Sequence, residues 1–363
     1  MHGGGAERVA ANLLNAWCDR GYETTLVVTF SGRGNCAYQI NKSIDLIYLA
    51  DEARKSVFKP LRQILRLVAL RMIIRNKKPD VVLSFLTNVN VATLIATGFL
   101  KIPVIVAERT YPPMLPVGWL LDWLRKRTYI HANQVVMMTS EGKTWLEDNI
   151  RGATGTVIPN PVIYPLPLNE PALYPDQFVA KTRKLLLAVG RLDEGKQFDR
   201  LLVAFSSIAL CRSDWDLVIL GEGPDRTKLN QLTASLGLEG RIFLLGQVGN
   251  VGSWYARADL YVMSSRFEGF PNTLAEAMAH GCAAVSYDCD TGPRDIIRNE
   301  IDGLLVSPVS DVPALAQALD RLMGDENERK RMSVRAIEVR ERYSQESVLR
   351  AWDRLFESVG AKV

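Results

Sequence analysis

The chain has 363 residues, 47% of them hydrophobic and 23% charged, with a formal net charge of +4. That length and composition suit two packed domains and exclude a disordered or fibrous chain. No apolar run reaches the ~18 residues a membrane helix needs. The start, Met1-His-Gly-Gly-Gly, also lacks the basic-then-apolar order of a signal peptide.

Five cysteines (18, 36, 211, 282 and 289) show no Cys-x-x-Cys spacing, and an odd count suits reduced thiols in a cytosol. Three histidines, at 2, 131 and 280, are too scattered for a His-rich metal site, so no metal and no other cofactor is expected. The charge is uneven. Residues 1–165 carry 20 Lys and Arg against 12 Asp and Glu, while the remainder is mildly acidic. The two halves therefore suit different partners.

Short β-rich runs alternate with helical patterns from the start. Ala6–Arg20 reads as a helix, followed by strands at Thr24–Phe30 and Ile44–Leu49. A long helix spans Val57–Asn76, and the strands Asp80–Leu86, Ile102–Glu108, Gln134–Thr139 and Thr156–Asn160 follow with helices between them. Prolines 159, 161, 165, 167, 171 and 175 then interrupt the pattern and read as a linker. Alternation resumes at Lys184–Val189 and continues through the strands Asp216–Leu220, Arg241–Leu245, Asp259–Met263, Ala283–Tyr287 and Gly303–Val306, before three closing helical stretches. Repeated βα units give parallel sheets with helices on both faces. The expected class is α/β. The expected boundaries are 1–165 for a first doubly wound domain, 166–180 for the linker, 181–340 for a second such domain, and 341–363 for a helix packing back toward the first.

The most informative stretch is Glu268-Gly-Phe-Pro-Asn-Thr-Leu-Ala-Glu276, placed after the strand that ends at Met263. A helix opening at Asn272 would leave the amides of Asn272, Thr273 and Leu274 at the positive end of its dipole, which suits an anion. Glu268 and Glu276 would repel a phosphate but can accept hydrogen bonds from hydroxyls. Amides for phosphate plus carboxylates for sugar diols match the polarity of a nucleotide-sugar. Arg191 and Lys196 share the loop after the strand Lys184–Val189, where two cations could clamp a diphosphate. Alternatively, that loop is basic and merely solvated. Glycines end the second domain's first three strands, at Gly190, Gly221 and Gly246.

Gly3–Gly5 could bring amides to an acceptor or phosphate, or could be a plain tail. Between Arg54 and Lys78 lie nine basic residues and no acid, with Leu61, Ile64, Leu65, Val68 and Met72 interleaved at helical spacing. The cations Arg54, Lys55, Lys59, Arg62, Arg66 and Arg71 could meet an anionic membrane surface. Equally, the apolar face could pack on the sheet. Trp119 and Trp123 beside Arg125–Arg127 form a second basic-aromatic segment. Asp288-Cys-Asp290 looks like a metal-binding Asp-x-Asp but reads as a loop.

Together these residues resemble family 4 of the retaining glycosyltransferases, which have the GT-B fold of two Rossmann-like domains facing a central cleft. The resemblance is carried by Glu268–Glu276 with Ala277-Met-Ala-His-Gly281, by Gly292-Pro-Arg-Asp-Ile-Ile297 and by Gly4-Gly5-Ala-Glu-Arg8. It is strongest to bacterial enzymes of capsule, exopolysaccharide, O-antigen or lipid-linked glycan synthesis. It implies that Glu268 holds the donor sugar, Glu276 the nucleotide ribose, and Arg191 and Lys196 the diphosphate. It also implies that Gly190, Gly221, Gln247 and Val248 line the nucleotide, and that Gly4, Gly5 and Arg109 face acceptor or phosphate. Glu108-Arg109-Thr110 stands where many members have a histidine.

The implied activity is transfer from a nucleotide-diphosphate sugar, a UDP-sugar first among candidates, to a glycan or polyprenyl-diphosphate-linked acceptor with retention. No nucleic-acid partner is expected, and the implied location is cytoplasmic, peripheral on the inner face of the cell membrane. An epimerase of similar fold, or a nucleotide-sugar-binding protein without turnover, are the alternatives. Only Met1 and His2 precede the Gly3–Gly5 loop, so the first domain is expected to lack its first strand.

Overall fold

A computed structural model describes residues 5–30, 39–52 and 59–361. The chain divides into two compact units, residues 1–161 with 346–363, and residues 162–345.

In the first unit, β1 (Thr25–Val28) pairs in parallel with β2 (Asp45–Tyr48). A separate parallel sheet runs β3 (Val82–Phe85), β4 (Val104–Ala107), β5 (Gln134–Met137) and β6 (Gly155–Val157) in that order. β4 reads Val-Ile-Val-Ala and all four residues are buried, as a strand covered on both faces requires. The first helix, Gly5–Asp19, packs through Val9, Leu13 and Trp17 on Ile105 and Ala107 of β4. The closing helix, Gln345–Ser358, joins the same core with Val348, Trp352 and Phe356. Trp17 meets Trp352 edge-on, with ring centroids 5.9 Å apart.

The second unit is a single six-stranded sheet: β7 (Lys184–Val189), β8 (Trp215–Leu220), β9 (Ile242–Gly246), β10 (Leu260–Met263), β11 (Ala284–Tyr287) and β12 (Gly303–Val306). All neighbours are parallel and the spatial order is β12-β11-β10-β7-β8-β9. This is the doubly wound order in which the winding reverses between the unit's first and fourth strands, β7 and β10. Every residue of β8 is buried, and each large aliphatic side chain so placed contributes ~1.5–3 kcal/mol.

The proline-rich stretch 166–180, expected as a linker, is bound into the second unit, whose boundary falls after Pro161. Asn169 and Pro171 exchange backbone hydrogen bonds with Gly249, and Asn250 and Trp254 both donate to the Leu173 carbonyl at 2.8 Å. Prolines supply no donor, so the acceptors they leave exposed are met from the helix Val251–Arg257 and its approach. The closing helix belongs to the first unit from Glu346 onward.

Candidate functional site

The second unit brings its motifs together at the carboxyl ends of β7 and β10, the place where this topology opens a crevice. Two hydrogen bonds tie the following loops to one another. Arg266 N–H donates to the Gly195 carbonyl at 2.8 Å, and Ser264 Oγ donates to the Lys196 carbonyl at 2.8 Å. Lys196 and Glu268 are thereby fixed face to face, with Nζ 2.6 Å from Oε1. Ser265 Oγ donates to the same oxygen at 2.6 Å. Burial works against the charge on Lys196, but the attraction and hydrogen bond of Glu268 outweigh it and hold the ammonium pKa above its usual value.

Beyond this pair, the carboxyl end of β11 closes in. Thr291 Oγ1 donates to the backbone carbonyl of Glu268. Buried Cys289 has its thiol pushed up to about 12, by burial first and then by the negative charge of Glu268. Asp288 accepts from Arg294 Nε at 2.9 Å, and no cluster of three or more metal-ligating side chains exists among the described residues.

Gly221 has φ +138°, and a Cβ there would sit 1.9 Å from the Gly190 carbonyl oxygen. Only glycine lets the ends of β7 and β8 approach so closely. Gly292 has φ +97°, and a Cβ there would meet Pro271 Cδ at 2.5 Å. That places the turn after β11 directly against the start of the helix Asn272–Ala279.

Glu276 projects from this helix into the interior and is 6% exposed. Tyr255 OH donates to its Oε2 at 3.3 Å. Tyr261, fully buried beneath, donates to Thr273 Oγ1 at 3.0 Å. One expectation is corrected here. The Leu274 amide is not free for an anion, because it closes a tight turn onto the Pro271 carbonyl at 3.1 Å. Arg191 stands apart from the Lys196–Glu268 pair: its side chain is 73% exposed and its nearest acid is Asp193, at 3.7 Å. Gln247 is exposed and Val248 half-buried, just beyond β9.

Sequence reasoning assigned no role to Ser265, Thr291 or Tyr255. Ser265 was visible as a polar ending to an apolar strand. Tyr255 carries no local signal, since its contact with Glu276 spans 21 positions.

In the first unit, Gly4 lies outside the described residues, and Gly5 opens the first helix. Arg109 follows β4 and is 8% exposed. It donates through Nη1 to Asn160 Oδ1 at 2.9 Å, and its guanidinium lies 4.3 Å over the Phe85 ring. Its Nε and Nη2 are buried without a partner. Burial pushes its pKa down to about 9. Beside it Glu108, 1% exposed, accepts from Tyr129 OH and Thr87 Oγ1, and burial raises its pKa.

Arg54 and Lys55 lie outside the described residues, as does the side chain of Lys59. On the helix Lys59–Lys77, Arg62 is exposed and Arg66 half-buried. Arg71 is not available to a membrane as expected. It donates through Nη1 to the carbonyls of Ala96 and Gly98 at 2.8 and 2.7 Å, closing the end of the helix Thr87–Thr97. The apolar stripe Leu61, Ile64, Val68 and Met72 is 46–58% exposed, so it does not pack on the sheet. Trp119 and Trp123 on the helix Trp119–Thr128 are 81% and 51% exposed. No helix among the described residues is long and apolar enough to cross a membrane.

Two doubly wound units define the GT-B class of nucleotide-sugar enzymes. Residues 3–163 match the family described as glycosyltransferase family 4, and residues 172–339 match glycosyl transferases group 1. The chain belongs to family 4 of the glycosyltransferases and is an enzyme of the hexosyltransferase type. The epimerase alternative is not favoured by this assignment.

Over 335 residues, 92% of this chain and 89% of the relative, it is 28% identical to a Campylobacter jejuni protein. That protein is named GalNAc-alpha-(1->4)-GalNAc-alpha-(1->3)-diNAcBac-PP-undecaprenol alpha-1,4-N-acetyl-D-galactosaminyltransferase. This chain is also 36% identical over 228 residues to an exopolysaccharide phosphotransferase of Streptomyces coelicolor, a match covering 61% of this chain and 23% of that longer relative. Among solved structures, the sucrose-phosphate synthase of Thermosynechococcus elongatus superposes with a TM-score of 0.81 at 17% identity, covering 98% of this chain and 94% of that one.

Proposed function

We propose that this glycosyltransferase takes a sugar from a nucleotide-diphosphate sugar, a UDP-sugar first among candidates, and gives it to a polyprenyl-diphosphate-linked or other glycan acceptor with retention, in bacterial surface polysaccharide synthesis. The observation that carries the reading is the Lys196–Glu268–Ser265 cluster at the point where the second sheet reverses its winding. Lys196 supplies a fixed positive charge for the departing diphosphate. Glu268, held by two donors, keeps acceptor capacity for hydroxyls of the donor sugar. Arg191, long and exposed, closes on the same phosphates when they arrive. Glu276, with the tyrosine behind it, accepts from the ribose, and the amides of Asn272 and Thr273 face phosphate.

The bond between the sugar's C1 and the diphosphate oxygen breaks as the acceptor oxygen bonds to C1 on the same face. The acceptor's proton passes to the leaving phosphate oxygen. The chain then needs no nucleophile of its own, only charge and positioning. Arg109, with two unpartnered donors, suits an anionic group of the acceptor in the first unit. The exposed stripe and basic residues of Lys59–Lys77 suit an anionic membrane's inner face, where a lipid-linked acceptor is found. The acceptor named for the Campylobacter jejuni relative supports that class.

The test is a screen of donor hydrolysis and transfer with UDP- and GDP-sugars. Turnover of at least one UDP-sugar is expected. Binding without turnover across the whole panel would overturn the reading.

A further inference from the structure

The first unit carries an apolar groove that no assigned role uses. It lies between the helices Lys59–Lys77, Thr87–Thr97 and Trp119–Thr128 and encloses ≈ 530 Å³. Leu67, Ala92, Ile95, Leu121 and Leu124 line it, and Gln63 and Asn88 are its polar side chains. Ile95 and Leu120, both in the lining, are 44% and 52% exposed, so apolar surface here faces solvent.

The groove has a polar end and an apolar end. Asn88 is the second residue of a helix that starts just after β3 ends at Phe85. Gln63 lies in the second turn of the helix that runs back to feed β3, and Trp119 opens the helix that runs back toward β5. In parallel crossovers such helices start at the carboxyl ends of the strands. The polar end therefore stands toward the carboxyl end of the first sheet, where Arg109 follows β4 with two unpartnered buried donors. Ile95 and Leu124 lie more than a turn further along their helices, toward the other end.

Charge selects the occupant. Of the three helices only Trp119–Thr128 holds an acid, Asp122, and it is already paired with Arg125 and Lys126. Arg62 adjoins Gln63, and Arg66 lies one turn beyond it. An apolar cleft with uncompensated positive charge at one end is complementary to an anion on an apolar tail. The volume falls in the ~300–1,000 Å³ range of a site for one small molecule. A second copy of this chain would bring the same cations against themselves, which charge disfavours.

We propose that the groove holds the isoprenoid chain of a polyprenyl diphosphate, with the diphosphate at the polar end and the first isoprene units along Ala92, Ile95, Leu121 and Leu124. The inference rests on the acceptor class proposed above and adds that the protein binds the lipid chain itself. A membrane's own acyl lipids have no call on the carboxyl end of this sheet, whereas an acceptor must bring its reacting end there. The chain has an apolar path into the groove. Ile64 of the exposed stripe stands one turn from Leu67 in the lining, and Trp119 at the rim is 81% exposed, as aromatic residues at a membrane boundary are.

The experiment titrates the full chain by calorimetry with inorganic pyrophosphate and with geranyl, farnesyl and geranylgeranyl diphosphate, all below micelle formation. No sugar donor is present, so a failed transfer screen leaves the result standing, and a chain that transfers sugars can still fail here. Affinity should rise by ~tenfold or more with each added isoprene unit until the groove is full, as burial of apolar carbons requires. Ala92→Phe fills the groove and should remove that gain while leaving pyrophosphate binding unchanged. Where Ala92→Phe does not fold, Leu120→Gln at an exposed position should lower farnesyl diphosphate affinity by ~threefold or more. Affinity independent of chain length, or a gain that survives the variants, would overturn the proposal. Equal affinity for lauroyl lysophosphatidate, an anionic lipid with one unbranched chain, would give the groove to bulk membrane lipid and overturn it. Dimerisation that Ala92→Phe abolishes would give the groove to a second copy and overturn it as well.

Discussion

Lys196 Nζ and Glu268 Oε1 lie 2.6 Å apart although 72 positions separate them in the chain. Their loops leave adjacent strands on either side of the point where the sheet's winding reverses. A phosphate entering here would compete with Glu268 for the lysine. The pair holds the ammonium in place and charged, as the proposed role toward the donor's diphosphate requires.

Lys196→Ala should lower turnover by ~100-fold or more, the scale of losing one preorganised electrostatic donor. Glu268→Gln should lower turnover while leaving UDP affinity near that of the unaltered chain. The pH profile carries a sign. Because Glu268 holds the Lys196 pKa up, the pair's contribution is fully present through the neutral range and is lost only as pH rises past the ordinary lysine range. Steady-state rates from neutral to alkaline pH check this, and a fall in rate beginning near neutrality that is absent from Lys196→Arg would contradict it.

Glu276→Ala should weaken UDP binding by ~1.5–3 kcal/mol, the value of a hydrogen bond to a charged group. Tyr255→Phe removes the donor at 3.3 Å behind that carboxylate and should cost only ~0.5–1.5 kcal/mol. Calorimetry with UDP distinguishes the two. Unchanged affinity in Glu276→Ala would remove the ribose role from this residue.

Much of this was legible beforehand because buried parallel strands announce themselves as short β-branched runs, such as Val104–Ala107 and Trp215–Leu220. Lys196 and Glu268 were each visible in their loops, but the contact between them depends on sheet order, which local pattern does not encode. Tyr255 was missed for the same reason, its contact with Glu276 spanning 21 positions, whereas Ser265 lies only three positions from Glu268 and its bond is a matter of loop geometry. The Leu274 amide was misjudged because the turn onto Pro271 is a matter of backbone geometry. Prolines 167, 171 and 175 suggested a free linker, although a donor-poor segment can be held by donors from elsewhere, here Asn250 and Trp254.

The exposed stripe Leu61, Ile64, Val68 and Met72 leads to a third expectation. The protein should co-sediment with vesicles containing anionic lipid, and added salt should release it, since charges near a surface contribute ~1 kcal/mol each and are screened. Ile64→Glu with Val68→Glu should abolish binding, while Arg71→Ala should chiefly lower the melting temperature because Arg71 holds the end of Thr87–Thr97. Vesicle binding unaffected by the double glutamate variant would rule out the stripe.

Arg109 gives the last prediction, in which stability and function pull apart. A buried guanidinium with Nε and Nη2 unpartnered costs stability, ~1–3 kcal/mol for an unsatisfied buried donor and more when charged. Arg109→Met keeps the packing over Phe85 and removes that cost, so its melting temperature should rise, by ~2–4 °C per kcal/mol in a domain of this size. Arg109 is a base whose folded-state pKa is lowered by burial. Its destabilisation is fully present below the folded value and fades as pH rises through it toward the unfolded value. With Arg109 pushed down to about 9, the stability gain of the variant should be flat through neutral pH and shrink above that point. Pyrophosphate serves as the probe for the anionic partner. It should raise the melting temperature of the unaltered chain more than that of Arg109→Met, and transfer to a diphosphate-linked acceptor should show a raised KM in the variant. Equal stabilisation of both proteins, with KM unchanged, would mean that Arg109 is a structural cation and faces no acceptor.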